Sequence, residues 1–126
     1  MANGTIAFDT LSTSGQIDGT ARSIDTDYLL NGCAKLWMNL DGSTFGIGDS
    51  FNMTSATDNG AGDYTGTIAN DMANTEWALT AHSGQAVNRT ESDVTVTAFE
   101  IHTMAQDGST KGDTGRVMVA GHGELA

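Results

Sequence analysis

Gly32-Cys33-Ala34-Lys35-Leu36-Trp37-Met38-Asn39-Leu40-Asp41-Gly42 is the stretch on which the fold turns. Ala34, Leu36, Met38 and Leu40 fall on one side of an extended chain, and Lys35, Trp37 and Asn39 on the other. A period of two belongs to a strand with one buried face. Trp37, on the outer side, is expected to meet a second sheet or a neighbouring subunit. Asp41-Gly42-Ser43 then supplies a short turn.

The same alternation recurs on both sides of this stretch. Phe51 and Met53 alternate with Asn52 and Thr54, Tyr64, Gly66 and Ile68 with Thr65 and Thr67, and Trp77, Leu79 and Ala81 with Glu76, Ala78 and Thr80. In Val94-Thr95-Val96-Thr97-Ala98-Phe99-Glu100-Ile101 the apolar side changes from even to odd positions, which predicts a β-bulge or face switch near Ala98. Val117 and Val119 mark a last strand within 116–121. Between the runs lie turn signals: Asp58-Asn59-Gly60-Ala61-Gly62-Asp63, expected to close an antiparallel hairpin, the shorter Ser83-Gly84-Gln85, and the long polar segment 106–113. Gly, Ser, Thr, Asn and Asp recur every few residues and disfavour helix interiors. The expected fold is all-β, an antiparallel β-sandwich or jelly-roll-like single domain over residues 29–126. Residues 1–28, with Thr5-Ile6-Ala7-Phe8 followed by a polar stretch, read either as an extended N-terminal arm for attachment or as a first strand plus loop.

Length and composition bound the function. The 126 residues fit one domain, and only 38% of them are apolar, so oligomer interfaces are an expected source of extra burial. A formal net charge of −11 disfavours nucleic acid and anionic lipid as partners. No run approaches the roughly 18 apolar residues of a membrane span. The start, Met1-Ala2-Asn3-Gly4-Thr5, lacks a signal peptide's basic and apolar regions, so a soluble protein made in the cytoplasm is expected.

No chemical signature rises above background. Cys33 is the sole cysteine, and it reads as a buried, structural thiol with no local base. His82, His102 and His122 lie on different expected strands without zinc-motif spacing. Asp25-Thr26-Asp27 and Asp58 to Asp63 place carboxylates near glycines. Counted from Asp58, however, the twelfth position of a calcium loop is Ala69 rather than Glu. Nucleophile-elbow and phosphate-loop motifs are absent. Trp37, Tyr64 and Trp77 are candidates for sugar stacking, with core or interface packing the simpler reading. No residue is assigned a catalytic, cofactor or metal role.

Three segments carry a family resemblance. Leu29 to Gly42 resembles an asparagine-glycine-x-alanine-lysine-x-tryptophan stretch that opens a β-domain of marine tailed-bacteriophage virion proteins. Asp49-Ser50-Phe51-Asn52-Met53-Thr54-Ser55-Ala56-Thr57-Asp58-Asn59-Gly60-Ala61-Gly62-Asp63-Tyr64-Thr65 resembles the family's second stretch, and Thr57 to Thr65 is its most specific part. Val117 to Ala126 resembles its terminal strand. The resemblance covers residues 29–126, loosely over 70–113. Phe45-Gly46-Ile47-Gly48 stands where the family has valine-alanine-isoleucine-arginine, and no proline follows Met72.

The resemblance implies a virion structural role without catalytic residues, in proteins that are often trimers. The expected function is a non-enzymatic structural protein on the virion surface, capsid-decorating (cement or head-fibre type). The alternative is a tail-fibre tip or knob recognising a host-surface glycan or protein. The expected partners are further copies of the chain in a homotrimer, and the major capsid protein or another virion protein.

Overall fold

The structure, a computed structural model, describes residues 16–17, 24–25, 28, 31–88, 94–105 and 107–126. Its strands are β1 (Gln16–Ile17), β2 (Ile24–Asp25), β3 (Leu36–Asp41), β4 (Gly46–Phe51), β5 (Met53–Gly60), β6 (Asp63–Ile68), β7 (Ala78–Ser83), β8 (Ala86–Asn88), β9 (Ala98–Met104) and β10 (Val117–His122). Strands β3 to β10 form two antiparallel four-stranded sheets, ordered β4-β3-β10-β7 (sheet I) and β5-β6-β9-β8 (sheet II). The pair forms a β-sandwich, as the alternation requires. Within the 1–28 segment, β1 and β2 pair with each other, and Thr5-Ile6-Ala7-Phe8 lies outside the described residues.

The core lies between the central strand pairs. Leu36, Met38 and Leu40 of β3 and Val117 and Val119 of β10 face Tyr64 and Ile68 of β6 and Phe99 and Ile101 of β9. Met72 and Trp77 close one end, and Trp77 meets Phe99 edge-on with ring centroids 6.2 Å apart. A Cβ on Gly66 would overlap the Phe99 ring, which lies over it on the neighbouring strand. A Cβ on Gly121 would sit 2.8 Å from both Leu36 Cγ and Trp77 Cζ3. Both glycines are therefore the condition for close packing, as glycine in a strand often is.

Two of the expected strands resolve differently. Phe51 and Met53 do not share a strand, because the chain passes from sheet I to sheet II between them, at Asn52. Asn52 has φ +57°, a left-handed conformation that asparagine tolerates better than most residues. Its side chain fixes the corner: Nδ2 donates to the Lys35 and Asn70 carbonyls at 3.0 and 3.1 Å. Oδ1 accepts from the Asn70 backbone N–H and Nδ2, each at 2.8 Å.

The change of face after Val94 is a reverse turn rather than a bulge. Thr95 N–H donates to the Ala98 carbonyl, and Thr95 Oγ1 accepts from the Ala98 N–H, so β9 starts only at Ala98. Val94 then pairs back with Phe99, and both are buried. The Asp58–Asp63 hairpin forms as expected, but β5 runs on to Gly60, leaving a tighter turn at Ala61-Gly62. Two strands carry no legible alternation in the sequence: β4, whose Gly46 and Gly48 interrupt it, and the three-residue β8.

Candidate functional site

Sheet I presents its outer face to solvent. Inward burial of Leu36, Met38 and Leu40 leaves Lys35, Trp37 and Asn39 pointing out. Register carries that face across the sheet, since directly opposed residues share a side. Trp37 lies between Phe51 and Ala120, and Ala120 is followed by Thr80. In the next row Asn39 lies between Asp49 and Met118, and Met118 is followed by His82. Trp37, Phe51 and Met118 are 38%, 54% and 42% exposed. His122 and Ala78 lie beyond Ala120 and Thr80 on their strands. At the opposite end Arg116 precedes β10 and acts electrostatically on Asp41. The Asp41 carboxylate is held below the usual range first by hydrogen bonds from Thr44, then by the Ser43 N–H and the Arg116 charge.

The composition of this face departs from that of the chain. Lys35 and Arg116, two of the five Lys and Arg residues, balance Asp41 and Asp49, in a molecule whose formal charge is −11. A formally neutral face with an aromatic and methionine centre matches the chemistry of interaction surfaces, which are enriched in Trp, Phe, Met and Arg.

Of the three sequence candidates for sugar stacking, Trp37 alone is exposed. Tyr64 is fully buried, with its ring stacked on Phe45 at 6.4 Å. Trp77 is 6% exposed and donates its indole N–H to the Thr95 carbonyl at 3.0 Å. Cys33 departs from its expected burial: it precedes β3 and is exposed.

The three histidines lie on three strands, His82 on β7, His102 on β9 and His122 on β10. His102 belongs to a cluster the sequence reading missed. Register sets Asp63 opposite His102, and the alternation of β9 sets Glu100 on the same face. The ligand atoms of Asp63, Glu100 and His102 lie within 4.8 Å of one another. His102 Nε2 is 2.9 Å from Glu100 Oε1 and 3.5 Å from Asp63 Oδ2. A cation of the chain itself, the Lys111 ammonium, bonds Asp63 Oδ2, and Asn59 Nδ2 donates to Asp63 Oδ1 at 3.3 Å. Burial pushes the Asp63 carboxyl up, but Lys111, Asn59 and His102 together outweigh it and hold its pKa below the ordinary value. The cluster thus ties the β9–β10 connection onto sheet II. The signal for it was Glu100-Ile101-His102, an acid and an imidazole two residues apart on one strand face.

The Asp58–Asp63 segment does not gather its carboxylates. Asp58 pairs across the hairpin with inward-facing Tyr64, so Asp58 and Asp63 belong to opposite sides of sheet II. Asp58 Oδ1 accepts from the Gly60 N–H at 2.9 Å, the bond of a turn. In the 25–27 pair, Asp25 lies in β2 and Asp27 lies outside the described residues.

No family model matches the chain, and the searches of curated proteins and of solved structures likewise return no match.

Proposed function

We propose that this protein is a non-enzymatic structural component of the outer surface of a tailed-bacteriophage particle, and that it decorates the capsid. The observation that carries the reading is the resemblance of Asp49 to Thr65 to the virion β-domain. In the fold that block forms the Asn52 corner and the β5–β6 hairpin, so its resemblance extends over a structural unit rather than scattered positions. The outer face of sheet I adds support, because a coat protein works by presenting apolar surface to its neighbours. Many copies on a shell would stabilise it by mass action, each binding the assembled state. The partners in this reading are further copies of the chain and the major capsid protein or another virion protein, and the site of action is the virion.

Quantified protein bands from purified particles test the proposal. Hundreds of copies per particle are expected, and absence of the chain from washed particles refutes it. Deletion of residues 1–28 asks whether that segment anchors the protein, and undiminished particle binding removes it from that role.

Trp37 beside Phe51 on an exposed sheet face favours a second reading, a tail-fibre tip that stacks a host-surface glycan. A handful of copies per particle, with glycan-array binding abolished by Trp37→Ala, would establish it in place of decoration.

A further inference from the structure

We infer that the outer face of sheet I is a self-complementary surface through which two copies of this chain associate about a two-fold axis. This rests on that face being an assembly surface, the first reading proposed above, and it names the occupant as a second copy in a two-fold pair, in place of the homotrimer expected from the resemblance.

The register of the sheet carries the argument. The outward residues form a grid of four strands, in the order β4, β3, β10, β7. One row reads Phe51, Trp37, Ala120, Thr80, and the next reads Asp49, Asn39, Met118, His82. A two-fold axis lying in the contact plane, parallel to the strands and midway between β3 and β10, exchanges β3 with β10 and β4 with β7. It keeps every row at its own height. Such an axis gives an isologous contact, in which each patch meets itself reversed.

The grid is complementary to its own reversal. Trp37 falls on Ala120 of the second copy and Phe51 on its Thr80, large side chains against small ones. Asn39 falls on Met118. Asp49 on edge strand β4 falls on His82 on the opposite edge strand, so a carboxylate meets an imidazole. Asp41 falls on Arg116, which makes a ring of four alternating charges with the Asp41 and Arg116 that already act on each other within one chain. At the far end Lys35 falls on His122, a pair without attraction that sits at the rim. Sheets stack well with their strands nearly aligned, which this axis provides.

Charge favours a second copy in a further way. A chain of formal charge −11 repels its own copies over most of its surface, and on this face two cations offset two carboxylates. The size of the face sets the strength of the contact. Four strands spaced about 4.8 Å and six residues rising about 3.3 Å each cover roughly 20 Å by 20 Å. The two faces together then offer about 800 Å² of flat contact, below the roughly 1,200 Å² at which stable specific interfaces begin. The dimer is therefore weak and reversible, and it gains from the high local concentration on a shell.

Sedimentation equilibrium of the purified full chain over a wide concentration range tests the inference. The wild type is expected to show a reversible monomer–dimer equilibrium, and Trp37→Asp to weaken it by about tenfold or more. Circular dichroism and a melting curve show that the variant is folded. The decisive arm is a charge exchange: Asp49→Lys and His82→Asp each weaken the homodimer, and mixing them yields a heterodimer, seen by native mass spectrometry, in which Lys and Asp meet.

A wild type that stays monomeric at its highest soluble concentration overturns the inference. So does a dimer indifferent to Trp37→Asp, or a mixture without preference for the heterodimer. A monomer that binds a glycan through Trp37 overturns it in favour of the recognition reading. Particle binding is scored separately. Dimers without particle binding refute the decorating role and leave the two-fold contact standing, and monomers that bind particles do the reverse.

Discussion

At the scale of single residues, two side chains hold the sandwich at its corners. Asn52 combines a left-handed backbone with a side chain that bonds Lys35 and Asn70, so Asn52→Ala loses the bonds and keeps the strain. The expected cost is about 2 kcal/mol or more by chemical denaturation, with Asn52→Gly cheaper because glycine adopts positive φ freely. Tyr64 is the second. Burial first, then its hydrogen bond to Asp113 Oδ1 at 2.8 Å, raises its pKa from 10.0 to about 12. The folded protein therefore holds the phenol proton more tightly than the unfolded chain does. That contribution is complete below pH 10 and is lost as pH rises through about 12. Melting temperature measured against pH should fall across this window, and in Tyr64→Phe the fall should shrink. Of these two residues, the sequence reading placed Tyr64 on a strand face and missed the corner. A corner is decided by which sheet the next strand joins, and the alternation of Phe51 and Met53 carries no trace of that.

At the scale of elements, alternation was legible wherever a strand had one buried and one exposed face. Strands β3, β6 and β10 were read this way because Leu36, Met38, Tyr64, Ile68, Val117 and Val119 sit in the core at every second position. Strand β4 was not, since its residues are almost all exposed and Gly46 and Gly48 interrupt the alternation. The same logic makes β6 and β9 sensitive where they touch. Gly66→Ala places a methyl group where the Phe99 ring lies, and overpacking of this kind costs about 1–3 kcal/mol. Thr67→Ala, one residue along on the outward side, should cost far less, and urea midpoints of the two variants give the comparison. The Asp63–Glu100–His102–Lys111 cluster was legible only in its Glu100-Ile101-His102 part, for another reason. Three strands or connections contribute to it, and the pairing of Asp63 with His102 and the bridge of Lys111 to Met104 bring them together.

At the scale of the whole molecule, acid should loosen one end of the sandwich before the other. Asp113 accepts from the Gly62 N–H at 2.7 Å and from Tyr64, and these bonds, the Gly62 one foremost, lower its pKa from 3.8. Asp41, bonded to Thr44 and Ser43, is lowered too, and so is Asp107, bonded to Ser109. A carboxyl with a depressed folded pKa stabilises the fold above its ordinary value, and that stability drains away as pH falls through the lower one. Hydrogen exchange followed from pH 5 downward, about one unit above the ordinary carboxyl range, should therefore open the β3–β4 and β5–β6 turns and the β9–β10 connection first. Uniform loss of protection would count against this. The sandwich class followed from the count and spacing of alternating runs, whereas strand order did not, because order depends on long-range pairing that no local pattern records.

That order has a consequence for how the molecule is made. The last strand, β10, sits between β3 and β7 and supplies the middle of sheet I. While the chain is still emerging from a ribosome, the β3–β4 hairpin and β7 wait on either side of an empty slot, and no amount of early folding can join them. Closure between β3 and β10, strands far apart in the chain, is a slow kind of step, because loop entropy is lost before the contacts reward it. Chains lacking Val117–His122 would leave Leu36, Met38 and Leu40 uncovered along one edge and offer that edge to proteases.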